Sequence, residues 1–218
     1  MLWRSALRAD STAMLGLSGR AFAAPIITCK ADVEILQRVD TYRSKRRISR
    51  VSGRAKRGGA TDMNGERRFK IPESVLVVIH TVNLEVLLLE RADAPGFWQS
   101  VTGSKDVVDE PLEETCRREV AEETGIEIGG PRVHADCLRD WQMRNVYEIY
   151  PVWRHRYAPG VTHNTEHVFG LLVPRDIEIG LAPREHLRFE WLDRRAAAER
   201  CFSPSNAEAV LHLPRLHG

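Results

Sequence analysis

Three glutamates stand close together, at positions 119, 122 and 123. On an α-helix the offsets i, i+3 and i+4 share a face, so Glu119, Glu122 and Glu123 would crowd three carboxylates into one patch. Such a patch repels itself until a divalent cation takes the charge, and hard oxygen donors suit Mg²⁺ or Mn²⁺. An ion held there would act as a Lewis acid. The plainer reading of the same spacing is a solvated acidic helix face.

The helix that must position them carries its own signals. Asp109, Glu110 and Pro111 make a helix start and Gly125 a C-terminal stop. Leu112, Cys116 and Val120 recur every four residues, which gives a narrow apolar stripe to pack on a core.

Residues 118–126, REVAEETGI, match every fixed position of the second half of the Nudix box, with Glu110 and Gly103 upstream. The chain resembles the Nudix hydrolases. Six residues separate Gly103 from Glu110 where the family has one fewer. Either Asp109 takes the glutamate place or the loop carries an extra residue, and the spacing from Glu110 to Arg118 favours the extra residue. The resemblance implies an α/β fold, a Nudix α/β/α sandwich with a mixed central sheet and the Nudix loop-helix. It also implies a metal site of Glu119, Glu122, Glu123 and the Gly103 carbonyl, with Mg²⁺ or Mn²⁺ as cofactor. Phosphoanhydride hydrolysis is the implied chemistry, with Glu119 the candidate to take the proton of water. Arg118 would hold the carboxylates by reaching Glu122, or serve only as a structural salt bridge. Glu110 would brace the loop.

Outside the box, residues 97–104 (FWQSVTGS), residues 154–160 (RHRYAPG), Thr162, residues 164–166 (NTE) and Glu185-His186-Leu187 ahead of Trp191-Leu192 extend the resemblance over residues 69–210. They are similar to the bacterial dihydroneopterin triphosphate diphosphatases of that family, also described as dATP pyrophosphohydrolases. At matching positions this implies substrate contacts from Lys70, Arg91, Thr102, Tyr147, Glu148, Ile149, Tyr150 and Ser203, and a further metal carboxylate at Glu185. Each has a plain alternative: Lys70 and Arg91 as strand ends, Ser203 as a helix start, Glu185 as a surface acid. The implied substrate is a small-molecule pterin or purine triphosphate. Dihydroneopterin triphosphate would be cleaved to the monophosphate and pyrophosphate, a step toward folate, with dATP as a side substrate because the fused rings are alike. Competing readings are hydrolysis of oxidised nucleotides or of 5′-triphosphate RNA, and a non-catalytic nucleotide-binding module. The carboxylate array argues against the last.

Further elements follow from apolar patterning. Residues 75–80 (VLVVIH) and 85–89 (EVLLL) read as buried strands joined by a hairpin connection at 81–84. Residues 147–153, interrupted by Pro151, then 168–173 and 188–192 read as further strands. Ser205 and Asn206 would cap a terminal helix over 207–213. Trp98 is expected in the core or a pocket wall, and a lone histidine such as His155 in structural hydrogen bonding.

The 218 residues suffice for one domain with a substantial core. Residues 1–68 hold 15 Lys and Arg against 6 Asp and Glu, a net +9, whereas the remainder holds 17 against 24, a net −7. The expectation is a basic, disordered N-terminal extension over 1–68 joined to a Nudix domain over 69–218. The run RSKRRISRVSGRAKR, residues 43–57, reads first as a solvated tail. Its alternative is a weak, salt-sensitive contact with nucleic acid. Met63 offers a second chain start, in which residues 1–62 would not belong to the native protein. Ala21-Phe22-Ala23 imitates a signal cleavage site, but Gly16, Ser18, Gly19 and Arg20 interrupt the apolar segment before it. Four cysteines without metal spacing point to a reduced, cytoplasmic protein. No apolar run approaches the roughly 18 residues of a bilayer span, so no membrane association is expected.

Overall fold

The computed structural model describes residues 69–151 and 153–216. The expectations for residues 1–68, including the extension and the question of Met63, lie outside the described residues. The order of elements is β1 (Glu73–His80), β2 (Glu85–Arg91), β3 (Trp98–Gln99), β4 (Val101–Ser104), α1 (Leu112–Thr124), β5 (Leu138–Glu148), β6 (His163–Leu172), β7 (His186–Asp193), α2 (Arg194–Arg200) and α3 (Pro204–Leu216). The strands form one seven-stranded mixed sheet. β1 runs parallel to β6, and the other pairings are antiparallel.

β1 is buried along nearly its whole length because both of its faces are covered. On one face Val75, Val77 and Ile79 join Leu87, Leu89, Phe169 and the α1 residues Cys116 and Val120. On the other, Leu76 and Val78 join Leu88, Val168 and the α2 and α3 residues Ala197, Ala207 and Val210. The result is an α/β/α sandwich. Trp98 is buried in the second cluster, with the guanidinium groups of Arg188 and Arg200 each about a ring-stacking distance away at 5.2 Å.

The β1–β2 hairpin pairs only at His80 and Val86, next to its turn. Beyond that point the strands part, and β4 takes over the edge of β1 from Val77 to Ser74. Inserting β4 there lays Gly103 beside β1 and under α1.

Several expected boundaries move. The strand expected over 147–153 is instead β5, Leu138–Glu148, and the chain turns after it. Only Trp141 is buried among its central residues, so the strand lacks the apolar signal by which buried strands are read. β6 starts at His163, five residues before the apolar run; its first half is polar yet buried at Asn164 and Glu166. The cap of α3 is Ser203, whose Oγ accepts from Asn206 N at 3.2 Å. Ser205 and Asn206 are not the cap, since Asn206 turns inward and bonds Ser100 in the core. Cys116, Cys137 and Cys201 are free thiols. Among the described residues no helix is long and apolar enough to cross a membrane.

Candidate active site

α1 begins directly after Pro111 and ends at Gly125, whose φ of 71° favours a residue without a Cβ. Its stripe of Cys116 and Val120 is buried against the sheet, which fixes the rotation of the helix. That rotation separates the three glutamates. The Glu123 side chain is 5% exposed and the Glu122 side chain 60%. Glu119 lies between them, pressed against β4: a Cβ on Gly103 would fall 1.7 Å from Glu119 Cδ. Gly103 is therefore required for the close approach of strand and carboxylate.

Arg118 ties the loop to the helix. Its Nε donates to Glu110 Oε1 at 3.1 Å and its Nη1 to Glu119 Oε1 at 2.7 Å. Nη2 donates to the Ser104 carbonyl at 2.9 Å, and Glu122 Oε2 is 3.6 Å from Nη1. Glu110 in turn accepts from Asp106 N at 2.6 Å. Glu110, and not Asp109, thus holds the glutamate place of the box. Within this loop Val107 and Val108 are turned to solvent, 56% and 73% exposed.

Glu123 faces a partner from the far end of the domain. His186 Nε2 lies 2.9 Å from Glu123 Oε2, and both side chains are buried. Glu123, Glu185 and His186 bring ligand atoms within 4.8 Å of one another, a set that suits a divalent ion. Burial pushes the Glu119 carboxyl up to about 7, with Arg118 opposing the shift and Glu123 and Glu122 adding to it. Burial also raises Glu123, against the pull of His186. Both are carboxylates gathered with too little positive charge to match them.

The basic residues expected at substrate lie around this cluster. Burial, then Arg156, lowers the pKa of Lys70, and Glu119 opposes, with Arg91 and Glu185 also acting on it. Lys70 N is fixed by the Arg156 carbonyl at 2.8 Å, so the RHRYAPG run serves to dock the start of the domain beside the carboxylates. Arg91 is held by both oxygens of Asp93, at 2.8 and 2.7 Å, and by Gln99 at 3.3 Å. Gln99 reaches on to Thr102 Oγ1 at 3.1 Å.

Of the remaining expected contacts, Tyr147 and Ser203 fall on the other face of the sheet. Tyr147 OH accepts from Asn164 Nδ2 at 3.0 Å, and Ser203 Oγ is 2.8 Å from Ser205 Oγ, which donates to Glu166 at 3.2 Å. Tyr147 and Ser203 are thereby linked to two adjacent inward positions of β6, Asn164 and Glu166. Glu148 pairs with Arg154. Ile149 is buried, its N–H donating to the Thr162 carbonyl and its own carbonyl accepting from Arg154 Nε, so it anchors the segment. Tyr150 is exposed and packs edge-on against Trp153 at 5.5 Å. The site residues that sequence reasoning did not assign are Asp93, Gln99, Asn164, Glu166 and His186. Three of them lie inside the NTE and Glu185-His186-Leu187 runs, which was the available signal.

Residues 70–213 match the NUDIX domain model. The dihydroneopterin triphosphate diphosphatase of Escherichia coli K12 is 42% identical over 146 residues, covering 66% of this chain and 93% of that protein. The Haemophilus influenzae protein of the same name is 40% identical over 144 residues, 66% of this chain and 87% of its own. The solved E. coli dihydroneopterin triphosphate pyrophosphohydrolase superposes with a TM-score of 0.57 at 43% identity, covering 65% of this chain and 94% of that one. With the domain model matched over residues 70–213 and relatives 40–42% identical over most of their own length, the chain belongs to the Nudix hydrolase family.

Proposed function

We propose that the protein is a Mg²⁺-dependent dihydroneopterin triphosphate diphosphatase, in which water attacks the triphosphate, an anhydride bond breaks, and the monophosphate and pyrophosphate leave. The observation that supports it most is the 42% identity to the E. coli enzyme of that name across 93% of its length. Buried carboxylates beside Gly103 supply the chemistry that such a reaction needs.

Glu119, Glu123 and Glu185 would hold Mg²⁺, with Glu122 and the Gly103 carbonyl at its margin. The fit rests on buried carboxylates whose charge is otherwise poorly compensated, and oxygen donors favour Mg²⁺ or Mn²⁺ over softer ions. Bound there, the ion supplies Lewis-acid stabilisation of phosphoryl charge. His186 hydrogen-bonds Glu123 and so orients that carboxylate. Arg118 fixes Glu119 and Glu110. Glu119, where it is not committed to the ion, is the candidate to accept the proton of water. Lys70 and Arg91 would meet the phosphates, while Thr102, Tyr147 and Ser203 would border the ring, with Glu148, Ile149 and Tyr150 beside it.

Purified protein with Mg²⁺ should be offered dihydroneopterin triphosphate, dATP, 8-oxo-dGTP and 5′-triphosphate RNA while pyrophosphate release is followed. The pterin triphosphate is expected to give the highest kcat/KM. Preference for RNA, or no turnover of any of the four, would overturn the proposal.

The electrostatics give a second expectation. Because the Glu119 pKa is raised, the folded metal-free protein holds a proton that the unfolded chain releases. Its stability therefore falls as pH climbs from the ordinary glutamate value of 4.5 to about 7. An ion at the site competes with that proton. The rise in Tm on adding Mg²⁺ should be larger at about pH 8 than at about pH 5.5, and an equal rise at both would remove Glu119 from the ion's ligands.

A further inference from the structure

β7 pairs regularly with β2 from Asp193 back to Arg188. Over that stretch Trp191 joins the cluster under α1 and Leu192 the cluster on the opposite face. Arg188 also lies on the opposite face, where it bonds Glu90 and stacks over Trp98. Unbroken alternation would put His186 on the side of Arg188, away from α1. Between the pairs Glu90–Arg188 and Arg91–His186, however, the register shifts by one residue. Leu187 is the extra residue and is 53% exposed. This bulge turns His186 to the α1 face, as bulges beside active sites commonly re-aim a side chain.

The chain leading into β7 is tied to the end of α1. Gly180 N–H donates to the Thr124 carbonyl at 2.8 Å and Ala182 N–H to the Glu123 carbonyl at 3.4 Å. Glu185 and His186 N–H groups return to the Ala182 carbonyl, at 3.0 and 3.1 Å, and Ala92 N–H holds the Glu185 carbonyl at 2.8 Å. The backbone therefore places His186 before its ring makes any contact. Nε2 of that ring lies 2.9 Å from Glu123 Oε2, whereas Nδ1 is buried with no hydrogen-bond partner among the described residues. A carboxylate oxygen only accepts, so Nε2 carries the proton and donates, and Nδ1, with nothing to donate to, keeps a bare lone pair. The backbone of Thr102, on β4, donates to the same carboxylate. Glu123 is thus gripped from two strands.

We infer that His186 is a positioning residue that occupies Glu123 Oε2, leaves one oxygen of that carboxylate for an ion, and so selects a small octahedral ion over Ca²⁺. Ca²⁺ gathers about six to eight oxygens at about 2.3–2.6 Å and often completes its shell with carboxylates that give both oxygens. Mg²⁺ takes about six at about 2.0–2.1 Å, and Mn²⁺ suits the same octahedral oxygen set. A carboxylate fixed from β4 and β7 cannot swing to chelate, which leaves the larger ion short of a ligand. Removing the imidazole donor frees Oε2 and erases that difference. The inference rests on the metal-site reading above and adds how the site tells ions apart.

Two measurements test it, neither of which needs turnover. Nitrogen NMR of histidine-labelled wild type, without metal and with Mg²⁺, reads the ring directly. His186 should carry its proton on Nε2 in both states. A proton on Nδ1 overturns the inference, and so does loss of the Nε2 proton on adding Mg²⁺, which would make the imidazole a ligand. The second measurement is ion binding to wild type, His186→Phe and His186→Gln, with Mn²⁺ followed by electron paramagnetic resonance and Ca²⁺ by its displacement of Mn²⁺. His186→Phe lacks the donor and should lose about 10–100-fold in Mn²⁺ affinity, with Ca²⁺ affinity changed by less than about threefold. Glutamine keeps an amide donor and should restore most of the Mn²⁺ preference. A Mn²⁺ to Ca²⁺ preference in His186→Phe within about twofold of wild type overturns the inference and leaves the metal site standing. Wild type that binds no Mn²⁺ removes the metal site itself. If His186→Phe does not fold, the histidine spectrum of wild type decides.

Discussion

Glu123→Gln is expected to lower kcat by about 10³-fold, the rate equivalent of roughly 4 kcal/mol of metal-derived stabilisation, while the fold stays intact. Glu123 is the most buried of the three box glutamates and is oriented by His186. An amide can still accept from His186, so the packing and that hydrogen bond survive. What the substitution removes is an anionic ligand. Because burial raises the Glu123 pKa, its charged form opposes folding near neutral pH. The metal-free variant should then melt no lower than wild type at about pH 8. Steady-state kinetics and thermal melts of the same preparation check both halves. Near-normal turnover would show that the metal is held elsewhere, and a large drop in Tm would mean that lost activity reports misfolding.

Arg118→Ala should be the most destabilising single change at the site, by about 2–3 kcal/mol, or roughly 6 °C in Tm. The guanidinium binds Glu110, Glu119 and the Ser104 carbonyl together. It also holds Glu110 below the ordinary carboxylate value, against the burial that favours the neutral form. Removing it leaves two partly buried carboxylates unpaired and frees the loop that bears Val107 and Val108. Arg118→Lys should recover less than half of the loss, since a single ammonium cannot serve three directions. Urea or thermal unfolding measures this directly. A variant as stable as wild type would show that the loop is held by Glu110 and Asp106 alone.

The helix and its carboxylates were legible because their rules are local. Spacing put Glu119, Glu122 and Glu123 on one side, and the interval from Glu110 to Arg118 pointed to the pair that the structure joins. β5 and the first half of β6 were missed for a related reason. Their residues alternate or run polar, and the partners that make Asn164 and Glu166 worth burying come from Ser74, Tyr147 and Ser205, on other strands and on α3. The α3 cap was misplaced onto Ser205 and Asn206 because several candidate caps adjoin, and only packing shows that Asn206 belongs to Ser100.

By itself, then, the sequence determined the α1 helix, the box around it and the class of chemistry that crowded carboxylates support, since helical geometry over a few residues needs no knowledge of the rest. Tertiary structure alone decided which glutamate is buried, Glu123 with His186, and which is left in solvent, Glu122. It also set the polar residues of β6 against their partners, Asn164 against Tyr147 and Glu166 against Ser205. The rotation of α1 is set by what the sheet buries, and the surroundings of Glu166 by a strand register, and both are sums of contacts between residues far apart in the chain.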